Sequence, residues 1–294
     1  MKVIRQDVQA NDVRQDVAHT LFVEGEIDSI DRPVLKLLLE DRIRVEGMGA
    51  SYSLSNVADA LHPHHPKYYF LIDRDGHTAE EVEKHWASFP NPDHKNLLIW
   101  RRKELENYFL LPDFVVKSKY MSKPQSDFIQ RLEQEAQQRI YFEAVNRVII
   151  LMRRELQTTW IRKLSGPQGL ETKEQAQQKI VELRTNACAQ KLQDDVAFLE
   201  QDNLMHLFDE QVRLLLGEEE TCKYGAGQWL ELMAGKKLLN LLVDYAFIVH
   251  DRHGNELHGK EKLRAIVKDL LALPPEELPQ DFQDLRRLIF AKID

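Results

Sequence analysis

The 294-residue chain is expected to fold as an α/β front, a Rossmann-like parallel sheet with flanking helices, followed by a mostly α-helical region. Three observations predict this. Short apolar runs recur before residue 115, stretches with helical spacing separate them, and strand signals nearly stop after Pro112. Strands alternating with helices favour a parallel sheet with right-handed crossovers. An apolar run bounded by acidic or glycine residues suits a strand covered on both faces.

The elements follow in order. Thr20–Val23 (TLFV) is the first strand. Ser29–Glu40 reads as a helix, with Ile30, Val34, Leu35 and Leu38 on one stripe and Pro33 in the first turn, where proline is tolerated. Arg42–Val45 is a weaker strand, Ser53–Leu61 a helix, and Tyr68–Ile72 (YYFLI) the most apolar strand. Thr78–Phe89 opens with Thr78 as N-cap and acidic residues in its first turn, and Asn96–Trp100 is the last strand. Helical spacing then covers Asp127–Leu164, ended by Ser165-Gly166-Pro167, and Glu171–Leu199, Leu204–Leu216, Trp229–Val249 and Leu263–Leu273. Pro274-Pro275 precedes a last helix near Phe282–Ala291. The expected division is residues 1–116 for the sheet and 117–294 for the helices.

Composition narrows the function. With 43% hydrophobic and 30% charged residues the chain can bury a core, which sets it apart from disordered chains. A net charge of −8 argues against a uniformly basic protein but allows a local basic groove. The charged N-terminal stretch and the lack of a long apolar run argue against a secretory signal and a membrane span, so a cytoplasmic protein is expected. Cys188 and Cys222 have no zinc-finger spacing and give no disulfide framework.

In open parallel sheets ligands bind beyond the carboxyl ends of the strands. Those ends are acidic here: Glu24-Gly25-Glu26-Ile27-Asp28 after the first strand, Asp73-Arg74-Asp75-Gly76 after the third, and Arg101-Arg102-Lys103-Glu104-Leu105-Glu106 after the fourth. Singly, such acids are helix caps or solvated turns. Three coinciding strand ends instead suggest carboxylates joined by a cation, and hard oxygen ligands select Mg²⁺ or Mn²⁺.

These residues resemble the TOPRIM domain, in the subgroup of OLD-like and defence-associated nucleases. The resemblance covers about residues 18–115. It rests on a strand ending in Val23-Glu24-Gly25, an aspartate four residues after that glutamate, and a later strand ending in Asp-x-Asp. It rests further on Arg102-Lys103-Glu104-Leu105-Glu106-Asn107-Tyr108-Phe109-Leu110, similar to the subgroup's R-x-x-E-N-Y-L stretch, and on Gly47-Met48-Gly49 with Ser55-Asn56 beyond. Gly235-Lys236 resembles the late Gly-Lys that supplies a catalytic lysine in OLD-type enzymes.

By this resemblance Glu24 would bind metal or act beside it, Asp28, Asp73, Asp75 and Glu106 would be further metal ligands, and Lys236 would be catalytic. Glu26 holds a variable position and is read as a bystander. A pair of Mg²⁺ ions can activate water and stabilise the leaving oxygen at a phosphodiester, and a lysine can neutralise the developing charge. The chain lacks the length for a topoisomerase gate, the cysteines for a primase zinc module, and the G-x-x-x-x-G-K-[ST] of an ATPase.

A stand-alone TOPRIM front with a helical back resembles the effector subunits of the PARIS anti-phage defence system. That resemblance implies an ABC-type ATPase partner (AriA-like) that holds the effector inactive, a homodimer when active, and cleavage of host tRNA. A DNA-cleaving OLD-like nuclease and a non-catalytic metal-binding sensor subunit of an ATPase are the alternatives.

Other patterns fall short of a motif. Asp73-Arg74-Asp75-Gly76-His77-Thr78 approaches the HAD phosphatase motif, but His77 stands where threonine is needed. His62-Pro63-His64-His65 and His250, His253 and His258 lack partners at zinc spacing and read as surface histidines. No G-x-S-x-G elbow is present. Arg101, Arg102 and Lys103, beside the acids, are expected to contact phosphate. Arg139–Lys163, which includes Arg147, Arg153 and Arg154, is either a phosphate-binding surface or an amphipathic helix with a solvated basic face.

Overall fold

In a computed structural model of the chain the described residues are 19–24, 29–48, 51–61, 64–91, 95–156, 164–184 and 198–294. Compactness divides the chain into two units, Met1–Arg101 with Arg264–Asp294, and Arg102–Leu263. The expected cut after residue 116 thus differs from the compact division, which falls after Arg101 and returns the last stretch of chain to the sheet unit.

The first unit contains β1 (Thr20–Val23), α1 (Asp31–Leu38), β2 (Arg44–Gly47), α2 (Ser51–Leu61), β3 (Tyr68–Ile72), α3 (Ala79–Ser88) and β4 (Leu97–Ile99). The strands form one sheet, order β2-β1-β3-β4, parallel throughout. All five residues of β3 are buried, as a central strand covered on both faces requires. The apolar runs therefore locate the strands well. β2 begins two residues later than its sequence suggests, because Arg44, not Arg42, pairs with Thr20.

The helices carry apolar faces onto these strands. Val34, Leu35 and Leu38 of α1 are buried, and Arg32 donates from Nε to the carbonyl of Val45 in β2 at 3.0 Å. α3 begins at a full capping box: Glu81 N–H donates to Thr78 Oγ1 (3.2 Å) and Thr78 N–H to Glu81 Oε2 (2.8 Å). Such a cap contributes about 1 kcal/mol. From the same helix, the Trp86 indole donates to the carbonyl of Ile99 in β4 at 2.9 Å.

The C-terminal segment completes this unit with the end of α11 (Gly259–Leu271, shared at Arg264 with the second unit) and with α12 (Gln280–Ile293). Phe282 of α12 is fully buried, its ring centroid 5.9 Å from that of Trp100. Arg286 donates to the carbonyl of Leu38 and pairs with Glu40, while Arg42 pairs with Asp294.

The second unit is helical. It starts with a 3₁₀ turn (Leu105–Leu110) and α4 (Pro112–Val115), then α5 (Gln125–Gln137), α6 (Ile140–Glu155), α7 (Lys173–Leu183), α8 (Gln201–Leu216), α9 (Trp229–Leu232) and α10 (Gly235–Ala246). α6 packs against both α7 and α8. The single helix expected from Asp127 is broken near Gln138–Arg139, and the one expected from Trp229 is broken at Met233-Ala234. Residues 185–197 of the expected Glu171–Leu199 helix lie outside the described residues. Among the described residues no helix is long and apolar enough to cross a membrane.

Because Phe282 fills the space beside Trp100 with a whole aromatic ring, Phe282→Ala should destabilise the chain by about 3–5 kcal/mol. The urea unfolding midpoint, followed by tryptophan fluorescence, reads this. An unchanged midpoint would mean that α12 is not part of the sheet unit's core.

Candidate active site

The site in the first unit follows from the strand order. The chain moves from β1 outward to β2 on one side, then from β3 to β4 on the other, so the order reverses between β1 and β3. At such a reversal the connections leave in opposite directions and open a crevice at the carboxyl ends. Val23 is level with Leu71 in the ladder. The next residues out are Glu24 on one strand and, one step past Ile72, Asp73 on the other.

Glu24 is half-buried, and its Oε1 is buried with no hydrogen-bond partner among the described residues. Burial, the negative charge of Asp75 and that of Asp31 together push its carboxyl up from the usual 4.5 to about 8, against hydrogen bonds from the Asp73 backbone and side chain. Two carboxylates can share a hydrogen bond only when one of them keeps a proton. Burial and like charge thus leave the half-buried Glu24–Asp73 pair sharing a proton.

Asp75 lies in the turn that leaves β3. Its φ of +34° falls in the left-handed region, which aspartate tolerates better than most side chains. His77 N–H donates to the Arg74 carbonyl at 2.8 Å and closes this turn. Arg74 is buried and donates from Nη1 to the carbonyl of Arg101 at 2.6 Å, tying the ends of β3 and β4 together.

The donors fit a hard divalent cation in kind, since Glu24, Asp73 and Asp75 offer only carboxylate oxygen. Among the described residues, however, no three His, Cys, Asp or Glu side chains converge closely enough to hold an ion. Asp28, expected as a further ligand, lies outside the described residues, as do Gly25, Glu26 and Gly49.

Glu106 and Lys236 belong to the second unit. Glu106 is buried within the 3₁₀ turn, while Lys236 is exposed in the first turn of α10. The two motifs that carry them are packed together within this unit. Asn107 is fully buried, accepts from Glu104 N–H at 3.1 Å, and donates to the carbonyls of Leu230 (3.0 Å) and Met233 (2.9 Å). Glu104 in turn accepts from the backbone N–H of Lys236 at 3.0 Å. Gly235 sits so close that a Cβ there would meet the Asn107 backbone nitrogen at 2.8 Å. The Glu-Asn-Tyr and Gly-Lys motifs thus form one structural joint, which their separation of about 130 residues hid from sequence reasoning.

The expected phosphate contacts carry internal partners. Arg101 pairs with Glu83 (2.7 Å) and Asp281 (2.8 Å), its guanidinium 4.0 Å over the Trp86 ring. Lys103 pairs at 3.0 Å with Glu143, a fully buried carboxylate that Arg139 also approaches at 3.5 Å. Arg102 lies over the Tyr108 ring and donates weakly to the Leu230 carbonyl. Arg147 donates to Gln211 Oε1 at 2.7 Å, and Arg153 and Arg154 occupy the last turn of α6. Part of the Arg139–Lys163 stretch is therefore core: Val145, Val148 and Ile149 are buried. Cys222 is buried too, its thiol pushed up to about 12 by burial and by Glu133, which disfavours a thiolate nucleophile.

Compared with protein-family models, with characterised proteins and with solved structures, the chain matches none.

Two measurements test this geometry. The raised carboxyl of Glu24 means that the folded protein holds a proton which the unfolded chain releases above about pH 4.5. That contribution to stability is complete below this value and is lost as pH rises through about 8. In EDTA, urea midpoints of the wild type should therefore fall from pH 5 toward pH 8 relative to Glu24→Gln. Parallel pH profiles would contradict the assigned environment. For the second unit, Gly235→Ala forces a Cβ into the Asn107 backbone and should cost about 1–3 kcal/mol in chemical denaturation, whereas Lys236→Ala, exposed, should leave the midpoint nearly unchanged.

Proposed function

We propose that the protein is a metal-dependent nuclease of the TOPRIM type, whose catalytic carboxylates are Glu24, Asp73 and Asp75. The observation that carries this reading is the buried, unpartnered oxygen of Glu24, set beside Asp73 at the reversal of strand order. A buried carboxylate pair costs stability unless something positive joins it. Sites of this kind retain that cost for function more often than for folding.

Mg²⁺ or Mn²⁺ held there would supply an activated water and stabilise the leaving oxygen of a phosphodiester. The chain's own contribution is to hold the acids. β1 and β3 bring Glu24 and Asp73 to the ends of adjacent parallel strands, and the turn after β3 places Asp75 so that its charge acts on Glu24. Glu106, Lys236 and Asp28 are carried in the proposal by resemblance alone, and it does not depend on them.

The resemblance extends the proposal to a biological role. Like AriB, the effector subunit of the PARIS system, the protein would be a toxic effector. An AriA-like ABC-type ATPase would hold it inactive, and on release it would act as a homodimer on host tRNA and stop translation.

The test is cleavage of total cellular RNA and of plasmid DNA with Mg²⁺ or Mn²⁺, with and without EDTA. Discrete tRNA fragments are expected from the wild type, and none from Glu24→Ala or Asp73→Ala. Both variants should stay folded, since each removes one member of a half-buried carboxyl pair that costs stability. Nicked plasmid beside intact RNA would instead make it a DNA nuclease. Full activity in both purified variants would end the assignment. A rise in melting temperature on adding Mn²⁺, absent in Asp73→Ala, gives a second readout independent of turnover.

A further inference from the structure

The second unit offers a candidate nucleic-acid contact apart from the residues around the acids. The segment Val116–Pro124 (VKSKYMSKP) contains three lysines and no acid in a chain whose net charge is −8. It runs beside the C-terminal end of α10. Ser122 N–H donates to the Ala246 carbonyl at 2.8 Å, Ile248 N–H donates to the Tyr120 carbonyl at 3.0 Å, and Met121 pairs antiparallel with Phe247.

The surface made there alternates cations with rings. Tyr245 is 36% exposed, with Arg131 at 5.5 Å and Lys123 at 5.8 Å from its ring centroid. Lys119 lies 4.9 Å over Tyr120. Lys117, Lys119 and Lys123 are all exposed. Leu241 and Ile248, exposed at 46% and 47%, continue the apolar strip along and beyond the same helix, and Lys236 and Lys237 stand exposed at its start. Asp244 is an acid on that face, and Arg131 is shared with Glu135.

We infer that this face of the second unit binds single-stranded polynucleotide, with a base stacked on Tyr245 and the flanking phosphates on Lys117, Lys119 and Lys123. The exposed Tyr245 ring, with the half-buried Tyr120 ring and the lysines beside it, matches the alternation of base and phosphate in a single strand, the combination that sequence-tolerant binders use. An acidic protein segment would satisfy the lysines but would give the exposed ring no stacking partner. The inference rests on the nuclease reading, which supplies the need for a polynucleotide surface. Its test is binding without cleavage, so the two can fail separately.

The full chain carrying Glu24→Ala, in EDTA, is titrated by fluorescence anisotropy against a labelled oligonucleotide of about 16 nucleotides, long enough for a single-strand site. RNA, DNA of the same sequence and the DNA duplex are compared. Both single strands should bind more tightly than the duplex. Lys117→Glu with Lys119→Glu and Lys123→Glu should weaken binding at least about 10-fold and flatten the salt dependence by about 2 in the slope of log K against log salt. Tyr245→Ala should weaken binding about 10-fold while Tyr245→Phe retains it. Circular dichroism shows whether each variant is folded. Equal affinity for folded wild-type and lysine variants would overturn the inference, as would displacement of the strand by poly-glutamate at equal charge, which would assign the face to an acidic protein. Binding lost on these substitutions in a protein that never cleaves would leave the surface standing and remove the nuclease reading. Cleavage together with undisturbed binding in the variants would do the reverse.

Discussion

Parallel pairing of β1 with β3 is the constraint from which the first unit follows. Parallel neighbours need a crossover, and here β2 and its helices are laid to one side of β1 before the chain returns to form β3. Because β1 and β3 point the same way, the residues that follow them emerge side by side at one sheet edge. The burial that drives the pairing also strips water from Glu24, just past the last paired residue of β1. The same hydrophobic contact that makes the sheet therefore raises the proton affinity of the acid at its edge.

Much of the first unit was legible because its signals are local. TLFV and YYFLI are apolar throughout, and strands buried on both faces have that appearance. Thr78 announced a helix start because a capping box is completed within four residues. Acidic strand ends were legible as well, although Asp28 falls outside the described residues. In the second unit the decisive contacts are non-local. Residues Trp229–Val249 carry an unbroken helical pattern, yet the buried amide of Asn107 takes the carbonyls of Leu230 and Met233, which a continuous helix would use itself. Nothing in the spacing of residues 229–249 records an asparagine over 120 positions earlier. The same distance hid the close approach that makes Gly235 a glycine.

Charge shows the opposite lesson. Basic residues beside an acidic cluster invite a phosphate-binding reading, but the nearest arginine and lysine have structural duties. Arg101 covers Trp86 and joins β4 to α12 through Asp281, and Lys103 neutralises a carboxylate with no access to water. Removing Lys103 would leave the fully buried Glu143 with only the more distant Arg139, at 3.5 Å, to balance its charge, a destabilising change. Their sequence position near the strand ends thus reflects the fold as much as any ligand. The lysines of residues 117–123 are exposed and close in sequence, Lys119 beside the half-buried Tyr120 ring and Lys123 beside the exposed Tyr245 ring.

On the proposed nuclease reading, two requirements come apart in this chain. Positioning a cation demands rigid, partly desolvated carboxylates, and adjacent parallel strands supply them. Holding a flexible polymer demands exposed rings and cations, which a buried sheet edge cannot offer without losing the desolvation that tunes its acids. Placing the second function on helices and a turn, as on the face formed by Tyr245 and the preceding lysines, lets each surface keep the exposure its chemistry needs. On that reading the partly desolvated acid pair and the exposed cationic face fall in different units of the chain.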